Sequence, residues 1–422
     1  MIDRESAPKI ETEWASPDHA PRWVERWGPR VLLVGLVLQL VTMAIWIRAF
    51  RDQVDLSIYR FGGQQILHGA PLYDYGLLGN PHQLLFNYPP FAAMVFSPIA
   101  LFPMPLLRLL VPIGNLALLF FVIRHCWRWL GVRDGWELRS LTMLGVGSLL
   151  WLEPVRTTIS LGQISLVLLV VVVVDLLPLS GPRRWDGMGV GLAAGIKLTP
   201  LFFIPFLLIT RRIRAAAVAM ATFLGTVALG FLITPAQALK YWFHGIFDDL
   251  GRIAPVGSTG NESLRGMLAR MSLSESASRL AWIITALILT TLCLAVAALA
   301  HRRGQEVLAI ALCGLGSAAV SPFSWGYHWV WFVPLAVYLA DRAIVRGRRV
   351  AGALLALLWV ATAAWITEWR DPSTGKTPPT GVTSLHLGGW LEELTRNIYL
   401  VVFLAALMLA TALLHRLDVI EP

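Results

Sequence analysis

Asp55 sits in the segment Val54-Asp55-Leu56-Ser57-Ile58-Tyr59, just beyond the first long apolar run of the chain. A carboxylate there lies within about two helical turns of a membrane surface. From that place it can take a proton from a substrate whose tail lies in the lipid. It can equally do no more than open an amphipathic helix, where negative charge suits the positive end of the helix dipole. Lys197 is one of only four lysines, with Lys9, Lys240 and Lys376, and it interrupts an apolar stretch. Such an ammonium either snorkels at a helix end or neutralises a phosphate held beside it. His328 stands among Trp325, Tyr327, Trp329 and Trp331. That run reads as an interfacial aromatic belt, or as a donor to a phosphate or sugar hydroxyl with rings for the sugar to stack on. Arg156 and Gln163 flank a short turn on the same side and can serve a phosphate or sugar too. Tyr59, Tyr88, Trp325 and Tyr327 supply further faces for stacking, and Tyr88-Pro89-Pro90 also shapes the backbone. Arg252 and Arg265 carry suitable charge, although loop arginines are as well explained by solvation.

Several chemistries lack their residues. There is no phosphate-binding glycine-lysine loop, no dinucleotide glycine fingerprint, no HExxH and no GxSxG. Cys126, Cys293 and Cys313 lie in or beside apolar runs without metal-ligand spacing, so neither a zinc site nor a disulfide framework is expected. No metal or other cofactor is called for.

The elements that must position these residues are membrane helices. Of the 422 residues 56% are hydrophobic and 14% charged, which marks an all-α polytopic membrane protein. The formal charge of +9 comes from arginines clustered between apolar runs. That is the positive-inside pattern rather than a nucleic-acid-binding face. Residues 1–30 read as a disordered cytoplasmic tail, 31–415 as the transmembrane domain and 416–422 as a second cytoplasmic tail. Val31–Phe50 is the first span, too long and too far from the start for a cleaved signal peptide. Residues 51–90 then lie outside, with a short amphipathic segment that carries Leu56, Tyr59, Ile66 and Leu67 on one side, a pattern suited to lying along the interface. Phe91–Phe102 reads as a half-buried or re-entrant helix, and Glu153–Thr158 as a brief polar turn. Met188–Ile209 has arginines at both flanks, so a single crossing would break the charge rule. Two short helices bending near Lys197 and Pro200 satisfy it and put Lys197 on the side of Asp55. Further external loops are expected over about 235–277 and 367–394. Counting the hairpin halves separately gives about twelve membrane helices with both termini inside.

Asp55-Leu56-Ser57-Ile58-Tyr59, Gly69-Ala70-Pro71-Leu72-Tyr73-Asp74, Tyr88-Pro89-Pro90-Phe91, Gly162-Gln163, Gly195-Ile196-Lys197-Leu198-Thr199-Pro200 and Ser321-Pro322-Phe323-Ser324-Trp325-Gly326-Tyr327-His328 occur in that order. Together, and over nearly the whole chain from about residue 31, they resemble glycosyltransferase family 87, integral membrane mannosyltransferases of the GT-C architecture. The resemblance implies transfer of mannose from polyprenyl-phosphate-mannose to a lipid-linked glycan outside the cytoplasmic membrane. The type it is most similar to is the α-1,2-mannosyltransferase that extends phosphatidylinositol mannosides. It further implies Asp55 as the catalytic aspartate, and Lys197 and His328 as donor-phosphate groups by motif position, with Arg156 by location only. The donor, a phosphatidylinositol mannoside acceptor and membrane lipids are the implied partners. Asp55 is followed by leucine, so a paired-acid metal bridge is not implied.

Two rivals stay open. A related transferase would use another polyprenyl-phosphate sugar such as arabinofuranose. A lipid or glycolipid transporter would carry ionisable residues near the bilayer midplane, where the sequence offers only Asp175.

Overall fold

The computed structural model describes residues 19–45, 53–79, 84–271, 274–364, 381–385 and 387–416. Among them there is no strand, only an isolated bridge between Leu152 and Ala363. Lipid offers backbone amides no partner, so apolar runs of this kind satisfy their hydrogen bonds within helices. The helices are α1 (Arg22–Ile45), α2 (Val54–Leu67), α3 (Pro90–Ala100), α4 (Met104–Trp129), α5 (Trp136–Leu149) and α6 (Glu153–Leu161). There follow α7 (Ser165–Leu176), α8 (Met188–Ile196), α9 (Phe203–Ile209), α10 (Ile213–Ile233), α11 (Pro235–Phe243) and α12 (Leu264–Arg270). The last are α13 (Glu275–Arg302), α14 (Glu306–Val320), α15 (Phe332–Ala340), α16 (Arg349–Thr362), α17 (Gly389–Arg396) and α18 (Ile398–Arg416).

Five of these, α1, α4, α10, α13 and α18, are long and apolar enough to cross a membrane, and α6 with α7 makes a sixth if that pair is one span bent by 118°. The chain is thus a multi-pass membrane protein; among the described residues five or six helices are long enough to span, against about twelve membrane helices expected with hairpin halves counted separately. The difference is one of length. Helices such as α5, with 14 residues, and α8, with nine, rise by about 1.5 Å per residue and fall short of a hydrocarbon core of about 30 Å.

Other expectations shift locally. Helix α1 starts at Arg22, inside the expected tail, because the carboxylate of Glu137 accepts the Ala20 amide (2.5 Å) and pairs with His19 (3.2 Å). It lies flush on α5: a Cβ on Gly35 would come within 2.6 Å of the Gly147 carbonyl oxygen, and one on Gly147 within 2.5 Å of that of Val31. Close backbone approach through glycine is how membrane helices gain packing without a hydrophobic drive. Helix α2 buries Leu56, Tyr59, Gly62 and Gly63, whereas Leu67 is exposed. The glycine pair decides this, since a Cβ on Gly63 would meet the Phe96 carbonyl oxygen at 2.5 Å. The expected turn at 153–158 is the first part of helix α6. Pro154 starts it, and Thr157 and Thr158 return their hydroxyls to the carbonyls of Glu153 and Pro154 (both 2.7 Å).

Helices α8 and α10 run parallel, because Gly187 faces Ala215, Gly191 faces Ala219 and Gly195 faces Thr226. The chain between them, through Thr199–Ile209, therefore runs back. The reversal begins at Lys197, whose backbone is extended (φ −147°, ψ 131°). Asp175 is used at the other end of the hairpin. Its carboxylate accepts the amides of Gly187 and Val190 at 3.0 Å, holding the first turn of α8. The one ionisable residue that could have marked a transport path is thus a helix cap. Of the expected outer loops, 235–277 contains α11, α12 and the start of α13, and 367–394 contains most of α17, with residues 272–273, 367–380 and 386 outside the described set.

Candidate active site

Asp55 and Tyr59 are four residues apart on α2 and share one face. The Tyr59 hydroxyl donates to Gln163 Oε1 (2.6 Å), so the neighbouring Tyr88 hydroxyl, at 3.0 Å, donates to Tyr59. Tyr59 also stacks on Phe96, with ring centroids 4.4 Å apart, and the Tyr73 hydroxyl fixes Tyr88 through its carbonyl (2.9 Å). Gln163 reaches this cluster because Gly162 ends α6 in the left-handed region (φ 69°), where a Cβ would stand 2.6 Å from that of Leu56. Its amide nitrogen makes no hydrogen bond within normal geometry. Gln163 is the larger of the two influences that favour the charged form of Asp55, ahead of Lys197.

Lys197 comes from the tip of the α8–α9 hairpin. Its Nζ lies 2.5 Å from His328 Nε2, and 5.9 Å and 5.6 Å from the ring centroids of Tyr88 and Tyr327. Two aromatic faces at that distance suit a cation. Burial pulls the pKa of the Lys197 amine down to about 7, with the Asp55 carboxylate opposing; in its ammonium form it has no lone pair, so it donates and Nε2 accepts. His328 is then neutral with its proton on Nδ1, where Ser324 Oγ is 3.2 Å away. Burial, and after it the Lys197 charge, holds the imidazole well below its ordinary pKa, in keeping with a neutral ring. Burial acts the opposite way on Asp55, pushing its carboxyl up to about 6 against the partial relief of Gln163 and Lys197.

The structure therefore gathers Asp55, Tyr59, Tyr88, Gln163, Lys197, Tyr327 and His328 from α2, the loop before α3, the α6–α7 bend, the hairpin tip and the α14–α15 link. Trp325 extends the group outward, stacked on Tyr327 at 6.5 Å. Arg156 is engaged elsewhere. It is 2% exposed, donates to the Ala364 carbonyl (3.1 Å) and lies 4.1 Å over the Trp151 ring. Trp151 lines one end of an apolar cavity of about 700 Å³ between α1, α5, α15 and α16.

Sequence reasoning did not single out Ser324 or Asn261, both fully buried. Ser324 precedes His328 by four residues, about one helical turn, and that spacing was the available signal. For Asn261, in a polar loop, no signal marks which other loop it meets. Among the described residues no group of three or more histidine, cysteine, aspartate or glutamate side chains is placed to hold a metal ion.

As they stand, the gathered side chains include a carboxylate of moderate acidity within electrostatic reach of an amine–imidazole pair. The first can accept a proton and the second can hold an anion.

The family model described as glycosyltransferase family 87 matches residues 86–322, a stretch with Tyr88, Gln163 and Lys197 but without Asp55 or His328. A polyprenol-phosphate-mannose-dependent alpha-(1-2)-phosphatidylinositol pentamannoside mannosyltransferase of Mycolicibacterium smegmatis is 34% identical over 385 residues, covering 87% of this chain and 89% of its own. A protein of the same description from Mycobacterium tuberculosis is 32% identical over 76% of this chain and 74% of its own. A polyprenol-phosphate-mannose-dependent alpha-(1-2)-phosphatidylinositol mannoside mannosyltransferase, also of Mycobacterium tuberculosis, is 31% identical over 83% of this chain and 85% of its own.

Proposed function

The chain belongs to glycosyltransferase family 87, and on that premise we propose that it transfers mannose from polyprenyl-phosphate-mannose to a phosphatidylinositol mannoside through an α-1,2 bond. The observation that carries this reading is the clustering of Asp55 with the Lys197–His328 pair. The acceptor hydroxyl attacks the anomeric carbon of the β-linked mannosyl phosphate as the bond from that carbon to the phosphate oxygen breaks. Asp55 takes the hydroxyl proton, and polyprenyl phosphate leaves with the bonding electrons. One displacement gives inversion and an α-linked product. The charge that stays on the phosphate needs a cation rather than an acid, and Lys197 supplies it, so neither a metal ion nor a second carboxylate is required. Tyr59 and Gln163 hold the base, and Tyr88, Tyr327 and Trp325 provide faces for the sugars.

The bundle is of GT-C type in this reading, with the shorter apolar helices crossing or re-entering to bring the count towards twelve. The site opens on the extracytoplasmic side of the cytoplasmic membrane, and both termini lie inside. The support is the charge distribution. Arg183, Arg184, Arg211 and Arg212 bracket the hairpin at the end where Gly187 faces Ala215, and Lys197 is at the opposite end.

The test is transfer of labelled mannose from polyprenyl-phosphate-mannose to a phosphatidylinositol mannoside by purified protein, wild type against Asp55→Asn. The expected result is transfer by the first and none by the second at equal folded yield. Equal rates would remove Asp55 from the mechanism, and no transfer by wild type would remove the substrate assignment.

A further inference from the structure

We infer that Asn261 is a positioning residue for this reaction: acting through Ser324, it fixes the orientation of the His328 ring and so the place of the Lys197 amine. The inference rests on the reading in which Lys197 receives the departing phosphate. It starts from the loop before α12, where both polar atoms of the Asn261 side chain have partners. Asn261 Oδ1 accepts the Ser324 amide (3.1 Å), the Ser263 hydroxyl (2.8 Å) and the Ser263 amide (3.3 Å). Its Nδ2 donates to the carbonyls of Val256 (2.9 Å) and Pro322 (3.4 Å). All the donors gather on one side of the amide and the acceptors on the other. A flipped side chain would therefore set NH₂ against three hydrogens, and the orientation is fixed by the network itself.

The next residue completes the hold. The Glu262 amide donates to the Ser324 carbonyl (2.8 Å), so consecutive residues of one loop grip both sides of the Ser324 peptide. The loop has a firm base. Ser263 caps α12 through the Gly266 amide (3.1 Å), and Arg270 donates to the Asn261 carbonyl (2.9 Å) and to Asn397 Oδ1 (2.6 Å) beside α18. A Cβ on Gly266 would fall 2.1 Å from the Asn261 carbonyl oxygen, and one on Gly260 would fall 2.3 Å from the Trp325 ring. The loop thus closes tightly on its own backbone at Gly266 and lies flush against the Trp325 ring at Gly260.

What this rigidity does appears at the imidazole. Ser324 Oγ stands 3.2 Å from Nδ1 and accepts its hydrogen, leaving the Nε2 lone pair to meet Lys197 Nζ. With the proton on Nε2 instead, two donors would face each other at 2.5 Å, and the ammonium would leave its place between the Tyr88 and Tyr327 rings. A backbone amide held by Asn261 thus determines where a cation sits two hydrogen bonds away. Neither Asn261 nor Ser324 touches the reacting atoms.

The test pairs a spectroscopic readout with kinetics. Protein labelled with ¹⁵N only at histidine, purified in detergent, reports the ring nitrogens of His328, assigned by their loss in His328→Gln. Wild type should show a protonated Nδ1 and a bare Nε2. Ser324→Ala and Asn261→Ala should each move the Nδ1 resonance, because the Nδ1 hydrogen loses its acceptor. In mannose transfer each should lower kcat/KM for the donor about tenfold, and Ser324→Thr, which keeps the hydroxyl, should recover most of it. Because both residues act along one path, the double variant should be no slower than the slower single one. An unchanged ring in Ser324→Ala, or losses that multiply to about a hundredfold in the double variant, would overturn the inference. Ser324→Ala removes one hydroxyl and carries the test even if Asn261→Ala does not fold. Should wild type transfer no mannose while the ring signals respond as described, the positioning role stands and the assigned reaction falls.

Discussion

Replacing Asp55 with asparagine should make the protein more stable while it stops working. The carboxyl has an ordinary pKa of 3.8 and is pushed up to about 6 in the fold, burial being the largest cause. An acid whose folded pKa is raised stabilises the native state only while protonated. That contribution is complete below pH 3.8 and is lost as the pH rises through 6. The 2.2-unit difference corresponds to at most about 3 kcal/mol of destabilisation at pH 7 and above. Asp55 is half-buried rather than sealed, so solvent screening keeps the realised figure under that bound. Asparagine carries no charge and nearly the same shape, so Asp55→Asn should raise the thermal midpoint in detergent by a few degrees at pH 7.5. The gain should shrink as the pH falls from 7 to 4, where the wild-type carboxyl takes up its proton. Thermal unfolding of both proteins across that range, beside their transfer rates, is the assay. A midpoint difference that does not change with pH, or a less stable variant, would refute the idea that a buried, charge-strained carboxylate sits at residue 55.

The same carboxyl sets the acid limb of activity: kcat/KM should fall about tenfold per pH unit below about 6, since a protonated Asp55 cannot take the acceptor proton, and a flat profile from pH 5 to 7 would contradict this. Lys197→Met keeps length and apolar packing but removes the charge, and should cost kcat/KM about a hundredfold or more, measured with the labelled donor. Lys197→Arg should recover only part, because a forked guanidinium does not fit between the Tyr88 and Tyr327 rings as an ammonium does. Gly162→Ala should destabilise the fold by about 1–3 kcal/mol and displace Gln163, because it combines φ 69° with a Cβ 2.6 Å from Leu56, and thermal unfolding with donor kinetics would register both effects.

Much of the site is legible in the sequence because membrane chains segregate polarity. A carboxylate, a lone lysine and a histidine beside apolar runs stand out, and the arginine clusters tell which ends of the runs lie on one side. The reversal at Lys197 follows from those charges, and the parallel run of α8 and α10 has the geometry it requires. Other features are hidden for physical reasons. Residues 153–158 look like a turn because glutamate, proline, arginine and two threonines seem to seek water. In the fold Glu153, Arg156 and Thr158 are buried and partnered, and hydropathy does not register partners. Asn261 and Ser324 lie in loops 63 residues apart, without periodicity to say that they meet. The number of full crossings is equally hard to read, since an apolar run of nine to fifteen residues has the composition of a span without its length.

The glycine seam between α1 and α5 also imposes an order on how the chain is made. Residues 35 and 147 touch backbone to backbone, so the ribosome must add about a hundred residues after the first before its partner exists. At about 5–20 residues per second, that is a wait on the order of 5–20 s. Until α4 is threaded the first helix is the only long apolar helix made and serves as the anchor, a task for which Leu33 and Leu40, still turned outward at 63% and 65% exposure in the finished fold, equip it. The seam can close only after α4 and the arginine-rich turn behind it have been threaded, so capture of α1 by α5 marks the moment at which the amino-terminal third of the protein becomes a single body.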